Sequence, residues 1–318
     1  MRTKLYMIAL AAISMMLGSC SDSNSEFSQD YLADTPIKLN VSVDEPTTRA
    51  GYSDADKPTG FVLEVVNHNA DKYNYLVWAK KVGDSWKTYK PDETLKGGTD
   101  EEVTMLWANM NDKVDVTAFT NIGTITIPTD QTSDDQLKEA DVLYMPFTKY
   151  TPTNKGITVN LQHAMSKINL TIELGSEYEF SEEDVDLKIT DVKIDGSSVS
   201  GDLASGGIYD VSGDPTPISP FCTGTTPYSK TNGTITKAKA TYEAILIPQD
   251  IASGKFTISF KVDGKLYEWT YNKELTLAPT TAYTLKLIAG DDKVQPVSFS
   301  VAPWGEGNGK DGEKKETD

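Results

Sequence analysis

The sequence predicts an all-β chain with two tandem β-sandwich domains, and three observations carry that expectation. Apolar and polar residues alternate with period two in run after run from residue 60 to residue 304, most runs near the ~5–6 residues typical of strands. The runs are rich in Val, Ile, Thr and aromatics and are punctuated by Gly, Pro, Asn and Asp. Once a leader is set aside, the remaining length suits two cores of ordinary size.

The chain opens with "MRTKLYMIALAAISMMLGSC", in which Arg2 and Lys4 precede an apolar run from Leu5 to Leu17 and small residues lead to Cys20. That order predicts a secretory signal over residues 1–19. The run is well short of the ~20 apolar residues of a membrane-spanning helix. "LGSC" resembles a bacterial lipobox, with Gly18 a less usual choice at its place. Cys20 is therefore the expected lipidation site, which would tie the protein to a membrane by acyl chains rather than by a span.

Residues 20–49 read as a tether and propeptide that includes a first strand. "SDSNSEFSQD" is polar and acidic, as a tether would be, and is similar to the export signals of surface lipoproteins. In "PIKLNVSV" the side chains of Ile37, Leu39, Val41 and Val43 share one face, and Lys38, Asn40 and Ser42 share the other. The loop "DEPTTRAG" then presents Arg49 before Ala50, the kind of peptide that a trypsin-like protease cuts.

The first sandwich is expected over residues 50–170. Its strands are 61–67, 73–80, 102–107, 114–121, 123–127 and 156–163. A short helix is expected over 133–144, with Ser133 or Asp134 as N-cap and acids in its first turn. Apolar residues are odd-numbered at Ile157, Val159 and Leu161 but even-numbered at Ile168, Leu170, Ile172 and Leu174. A strand cannot change faces without a bulge or break, so "HAMSK" marks a joint and the boundary falls near residue 170.

The second sandwich is expected over 171–304, with strands at 167–174, 186–194, 240–247, 255–262, 265–271, 282–289 and 296–304. Asp263-Gly264 between two alternating runs predicts a tight hairpin. The Gly-, Ser- and Pro-rich stretch 196–234 reads as a long loop. Residues 305–318 have no apolar residue and form a polar tail.

Composition narrows the function. The chain has 318 residues, with 47 acidic against 30 basic side chains and a formal charge of −17. The signal segment carries two bases, Arg2 and Lys4, and no acid, so its removal takes −17 to −19. Such an acidic surface argues against nucleic-acid partners. With Cys20 lipidated, Cys222 stands alone, which excludes a disulfide framework and suits a small buried apolar residue.

Nothing in the sequence carries catalysis. His68 reads as a solvated loop residue and His163 as a packed or hydrogen-bonded residue at the joint, neither with a zinc-ligand partner. No nucleophile motif, phosphate loop or dinucleotide fingerprint is present. The acidic clusters at 99–102, 181–186 and 290–292 read as solvated loops, and none matches the EF-hand pattern. No cofactor, metal or catalytic residue is assigned. Trp78, Trp86, Trp107 and Trp269 could stack on sugars, but Trp78, Trp107 and Trp269 lie in alternating strands, which favours packing.

Several segments, in order, resemble the fimbrillin (Mfa-like) family of type V pilus subunits from Bacteroidales-type bacteria. They are the lipobox, "TTRAG", "VDVTAFTNIG" with "EADVLYMPFT", "ITVNLQHAMSKINLTIEL", "YEAILIPQ", "VDGKLYEW", "LAPTTAYTLKLIA" and "VSFSVAPW", spanning 37–304. One departure is "LAPTTAYTL", where the family often has Ala-Gly-Lys before the Tyr.

The resemblance implies two transthyretin-like sandwiches and export to the outer membrane as a lipoprotein. It further implies cleavage by an Arg-specific surface protease, here between Arg49 and Ala50. The strand lost would be 37–43, with Ile37, Leu39, Val41 and Val43. Its groove would be filled by a neighbouring subunit's C-terminal strand, here 296–304 with Val297, Phe299, Val301 and Trp304. Implied partners are other pilin subunits in a homo- or heteropolymer and a host or bacterial surface ligand.

The physics of burial supports that transfer. Four buried aliphatic side chains at ~1.5–3 kcal/mol each make the first strand worth roughly 6–12 kcal/mol. A whole domain has about 5–15 kcal/mol of net stability, so losing the strand would leave an open, nearly unfolded sandwich. Two other readings stand beside the pilin: a surface glycan-binding lipoprotein, and an anchor subunit that keeps its lipid and first strand.

Overall fold

A computed structural model describes residues 32–43, 51–53, 55–178, 184–185, 188–204, 207–290 and 293–304. The signal segment, Cys20, Arg49, Ala50 and the tail 305–318 lie outside the described residues. The described chain is nearly all β.

Two hydrophobic cores organise it. Around the first lie β1 (Leu39–Val43), β2 (Gly60–Asn67), β3 (Tyr75–Val82), β4 (Ser85–Pro91), β5 (Gly98–Glu102) and β6 (Val114–Phe119). After β7 (Gly123–Thr126) and helix α1 (Asp134–Ala140) come β8 (Leu143–Tyr150) and β9 (Ile157–His163). All but β7 form one eight-stranded sheet in the order β1-β9-β8-β6-β2-β3-β4-β5. Period-two alternation sends Phe61, Leu63 and Val65 of β2 and Ile157, Val159 and Leu161 of β9 into the same core, all 0% exposed. The sheet curls around that core far enough for β1, at one end of the strand order, to touch β4 near the other.

The second core is built by β10 (Ser166–Leu174), β11 (Asp184–Val185), β12 (Ile189–Asp195), β13 (Ser198–Ala204), β14 (Gly207–Pro215) and β15 (Phe221–Thr226). They continue as β16 (Tyr228–Thr231), β17 (Thr234–Thr236), β18 (Lys239–Leu246), β19 (Gln249–Ile251) and β20 (Phe256–Val262). The last are β21 (Lys265–Tyr271), β22 (Leu275–Leu277), β23 (Thr281–Ala289) and β24 (Val294–Pro303). A five-stranded sheet, β15-β18-β10-β23-β24, supplies Ile168, Leu170, Tyr283 and Leu285 to this core. The three-stranded sheet β12-β20-β21 supplies Ile194, Phe256, Ile258 and Phe260. β10 and β23 run parallel and lie inside the larger sheet, which is why both carry long apolar series.

The two cores change over between Leu161 and Ala164, across the phase break read from the sequence. Residues 123–142 cross over in part. β7 pairs with β13, and Ile125, Ile127, Leu137, Ala140 and Val142 pack in the second core. The hairpin at Asp263-Gly264 forms with both residues at positive φ, 47° and 80°, as a type I′ turn requires.

The structure corrects several expectations. Residues 196–234 are not a long loop but hold β13 to β17. These strands are themselves mostly polar, β15 at the edge of the five-stranded sheet included, so backbone pairing formed strands where no apolar alternation could announce them. Helix α1 ends at Ala140, and residues 143–150 continue as β8. Its predicted cap is present, as Ser133 and Gln136 form a reciprocal capping box. Around 102–107 the ordered strand is β5, which ends at Glu102, while 105–107 bond instead to the first segment. Cys222 is exposed rather than buried.

Candidate functional site: the two terminal strands and their joint

The first described segment spans both sides of the curled sheet. Its early residues pair with 105–107: Asp34 N–H donates to Trp107 O at 2.9 Å, Trp107 N–H to Thr35 O at 3.0 Å and Ile37 N–H to Met105 O at 2.9 Å. Its later residues form β1, parallel to β9, with Leu39 opposite Ile157, Val41 opposite Val159 and Val43 opposite Leu161. The segment therefore closes the first core from two directions at once.

Burial along it is graded. Leu32 is 4% and Val43 3% exposed, whereas Ile37, Leu39 and Val41 are half-buried and packed against the core. The sequence reading of four equally buried aliphatics is thus too generous at three positions and overlooked Leu32. Beneath the segment, Met105, Trp107 and the inner residues of β9 are sealed. Without it, they and the backbone groups of β9 would face water.

Two polar contacts hold the outer face in register. Asn40 Nδ2 donates to Lys155 O at 3.1 Å, and Ser42 Oγ donates to Asn160 Oδ1. At the entry, Ile157 N–H donates to Lys38 O at 2.9 Å. There Gly156 has φ +81°, and a Cβ on it would stand 2.1 Å from Lys38 O. Only glycine fits that approach. Gly156→Ala is expected to cost about 1–3 kcal/mol through backbone strain and loss of the Lys38 contact. A thermal melt of the uncut chain should register it, with faster exchange of the β1 amides.

At the other end of the chain, β24 lies on the free edge of the five-stranded sheet, antiparallel to β23. Phe299 faces the core and packs against Tyr271 and Tyr283, with ring centroids 5.2 and 6.1 Å away. Val297 and Val301, on either side of it, are 52% and 56% exposed. An apolar edge left open in this way is a ready surface for another chain.

Trp304, one residue beyond β24, is 3% exposed and is the strand's buried anchor. Its indole stacks on the His163 ring at 4.3 Å and 3°, and the Trp304 backbone N–H donates to Thr280 O at 2.8 Å. His163 Nδ1 lies 2.8 Å from Asp141 Oδ1. The other oxygen of Asp141 accepts the Tyr52 N–H at 2.8 Å. Gly51 packs so closely on this carboxylate that a Cβ would fall 2.4 Å from Oδ2. One carboxylate thus links Gly51 and Tyr52, which follow Arg49 closely in the sequence, to the ring that seats the end of β24.

Beside the stack, Lys167 Nζ lies 3.2 Å from Glu243 Oε2 and 5.9 Å from the Trp304 ring centroid. Burial pushes the Lys167 ammonium below the ordinary lysine range, and the Glu243 carboxylate opposes that shift. Asp141, Lys167 and Glu243 escaped the sequence reading. Its usable signal was a lysine inside the apolar run "HAMSKINL". His163 is packed and hydrogen-bonded as expected, and exposed His68 pairs with Asp115 at 2.8 Å.

The remaining tryptophans divide. Trp107 is 1% exposed, and Trp86 and Trp269 pack partly against the two cores. Trp78 instead lies on the outer face of β3, its indole against Gly60 and Gly98, where side chains would collide with it. Among the described residues no group of three or more His, Cys, Asp or Glu could hold a metal ion.

Comparisons with known proteins agree with this architecture. The family model described as fimbrillin-like matches residues 61–304, most of the chain. No curated protein matches significantly. Among solved structures, a Bacteroides ovatus protein named for cell adhesion aligns at 15% identity and TM-score 0.57, over 86% of this chain and 98% of that one. A Bacteroides uniformis protein named likewise aligns at 15% identity and TM-score 0.54, over 85% and 98%. A Bacteroides vulgatus fimbrial protein aligns at 15% identity and TM-score 0.46, over 85% and 99%.

Proposed function

The chain belongs to the fimbrillin-like family, and from that premise we propose that it is a structural subunit of a surface fimbria that serves cell adhesion. In this reading it is exported as a lipoprotein through Cys20, and an Arg-specific protease cuts between Arg49 and Ala50. The cut removes residues 20–49, and subunits join as one chain's C-terminal strand fills the next chain's groove. The two cores are read as two sandwich domains, the first taking the foreign strand and the second bearing the donor.

The observation that carries this reading is the matched pair of terminal strands. The first segment closes the first core from both sides and precedes Arg49 in the sequence. The last strand holds Val297 and Val301 half or more exposed on a free edge. One element is set to leave a sealed groove, and the other exposes the apolar face to fill one.

The test is direct. N-terminal sequencing of surface material is expected to begin at Ala50, and Arg49→Ala is expected to leave a lipidated monomer. Normal assembly of the Arg49→Ala protein would refute the proteolytic switch. Retention of residues 20–49 on mature surface protein would instead identify an anchor subunit.

A second reading draws on Trp78. Its partly buried ring lines an outer cleft with Asn121, Glu139 and Lys96, an aromatic face among polar groups of the kind that binds sugars. Titration against a polysaccharide panel, with a Trp78→Ala comparison, would establish or remove it.

A further inference from the structure

We propose that the strand entering the first groove is β24 of a second copy of this chain, in one frame, with Val297–Val301 taking the places of Leu39–Val43. This rests on the strand-exchange reading and specifies its register and direction.

The groove sets three requirements, each visible in the strand it now holds. The first is a ladder. Because Ile157 N–H donates to Lys38 O and β1 runs parallel to β9, the parallel pattern assigns the bonds. Asn40 and Ser42 use both N–H and C=O toward β9, whereas Lys38 uses its C=O. The second is a socket at Val43, 3% exposed, which takes a side chain of valine size. The third is a hydroxyl at position 42 for Asn160 Oδ1.

β24 meets all three in this frame. "VSFSV" lies on "LNVSV", so Ser300 stands at Ser42 before Asn160 and Val301 stands at Val43. Ser298 and Ser300 supply every ladder N–H. Pro296 falls on Lys38, where a carbonyl suffices. Gln295 falls on Ile37 and keeps the N–H that Met105 O accepts, at the loss of one half-buried apolar contact.

Neighbouring frames fail. Moving β24 so that Ser298 meets Asn160 puts Phe299 into the Val43 socket and Pro296 at Asn40, where an N–H is required. Moving it the other way sets Pro303 in the socket and Ala302 before Asn160. Because "VSFSV" reads the same in both directions, a reversed strand also fits the five central sites. Reversal makes the strand antiparallel to β9, however, so its core-facing residues rather than its serines would bond β9, and the residue at Ile37 would turn its N–H away from the Met105 carbonyl. The flanking prolines select the frame, and the Met105 bond selects the direction.

Disulfide trapping tests this on the full chain carrying Cys222→Ser, cut with an Arg-specific protease and assembled under mild oxidation. As a control, Ser42→Cys with Asn160→Cys is expected to close within one uncut chain, since those residues are paired. In cut, assembled protein, Asn160→Cys with Ser300→Cys should give a ladder of covalent oligomers that reductant abolishes. Asn160→Cys with Ser298→Cys, or with Ala302→Cys, should stay at background. A ladder at either of those positions overturns the frame and leaves strand exchange standing. Fibres without crosslinks at all three positions overturn β24 as donor. Failure of the Cys222→Ser parent to assemble after cutting overturns the strand-exchange reading, and the frame with it.

Discussion

A chain beginning at Ala50, held dilute, is expected to lose its first core while its second stays folded. Leu32 and Val43 are nearly sealed, and Ile37, Leu39 and Val41 are half-buried. At ~1.5–3 kcal/mol per fully buried aliphatic side chain, and about half that for the partly buried ones, the segment supplies roughly 5–10 kcal/mol. That is most of the ~5–15 kcal/mol by which a domain is ordinarily stable. The bonds to 105–107 and the ladder on β9 go with it, leaving backbone groups bare at two edges of the curl. The second core draws none of its described residues from that segment, so two separate transitions should replace one. Hydrogen exchange should show β2, β6 and β9 unprotected while β10, β18 and β23 remain protected. A peptide of residues 32–43 in excess should restore the first set by mass action. A single melt at the temperature of the uncut chain would mean that the segment is dispensable and that its removal opens no groove.

What the sequence disclosed follows the physics of burial. Strands with one face in a core announce themselves through alternation, so β2, β9, β10, β20 and β23 were legible. Leu161 belongs to the first core and Ile168 to the second, on either side of the phase change. Strands β13 to β17 were not legible, because their own residues are mostly polar and set no apolar period, and backbone bonds hold them in place. The terminal strands were readable as patterns, but their condition was not. Val301 and Val43 look alike in sequence, and only tertiary packing leaves one 56% and the other 3% exposed. The joint was the least legible part. Asp141, His163 and Trp304 are separated by 22 residues and more along the chain, and no local pattern predicts a stack between them.

That joint gives the second large effect. Trp304→Ala is expected to free β24 from its own sheet while sparing the rest of the second core. Seven of the strand's ten residues are exposed, Val297 and Val301 among them, so its hold comes from the β23 ladder, Phe299 and the seated indole. Truncating a buried Trp costs about 3–5 kcal/mol. At 1.4 kcal/mol per factor of ten, opening of β24 should become more frequent by roughly two to three and a half orders of magnitude. Amide exchange at Ser298, Ser300 and Ala302 measures this directly, against unchanged protection of β10 and β18. Trp304→Phe keeps a ring over His163 and should restore most of the protection. If strand exchange joins the subunits, the same opening is the step that readies a donor. Protein cut after Arg49 and carrying Trp304→Ala should then assemble faster than the parent at equal concentration. Faster exchange without faster assembly would separate the anchor from the polymerisation pathway, because a donor already loose would have gained nothing by being released.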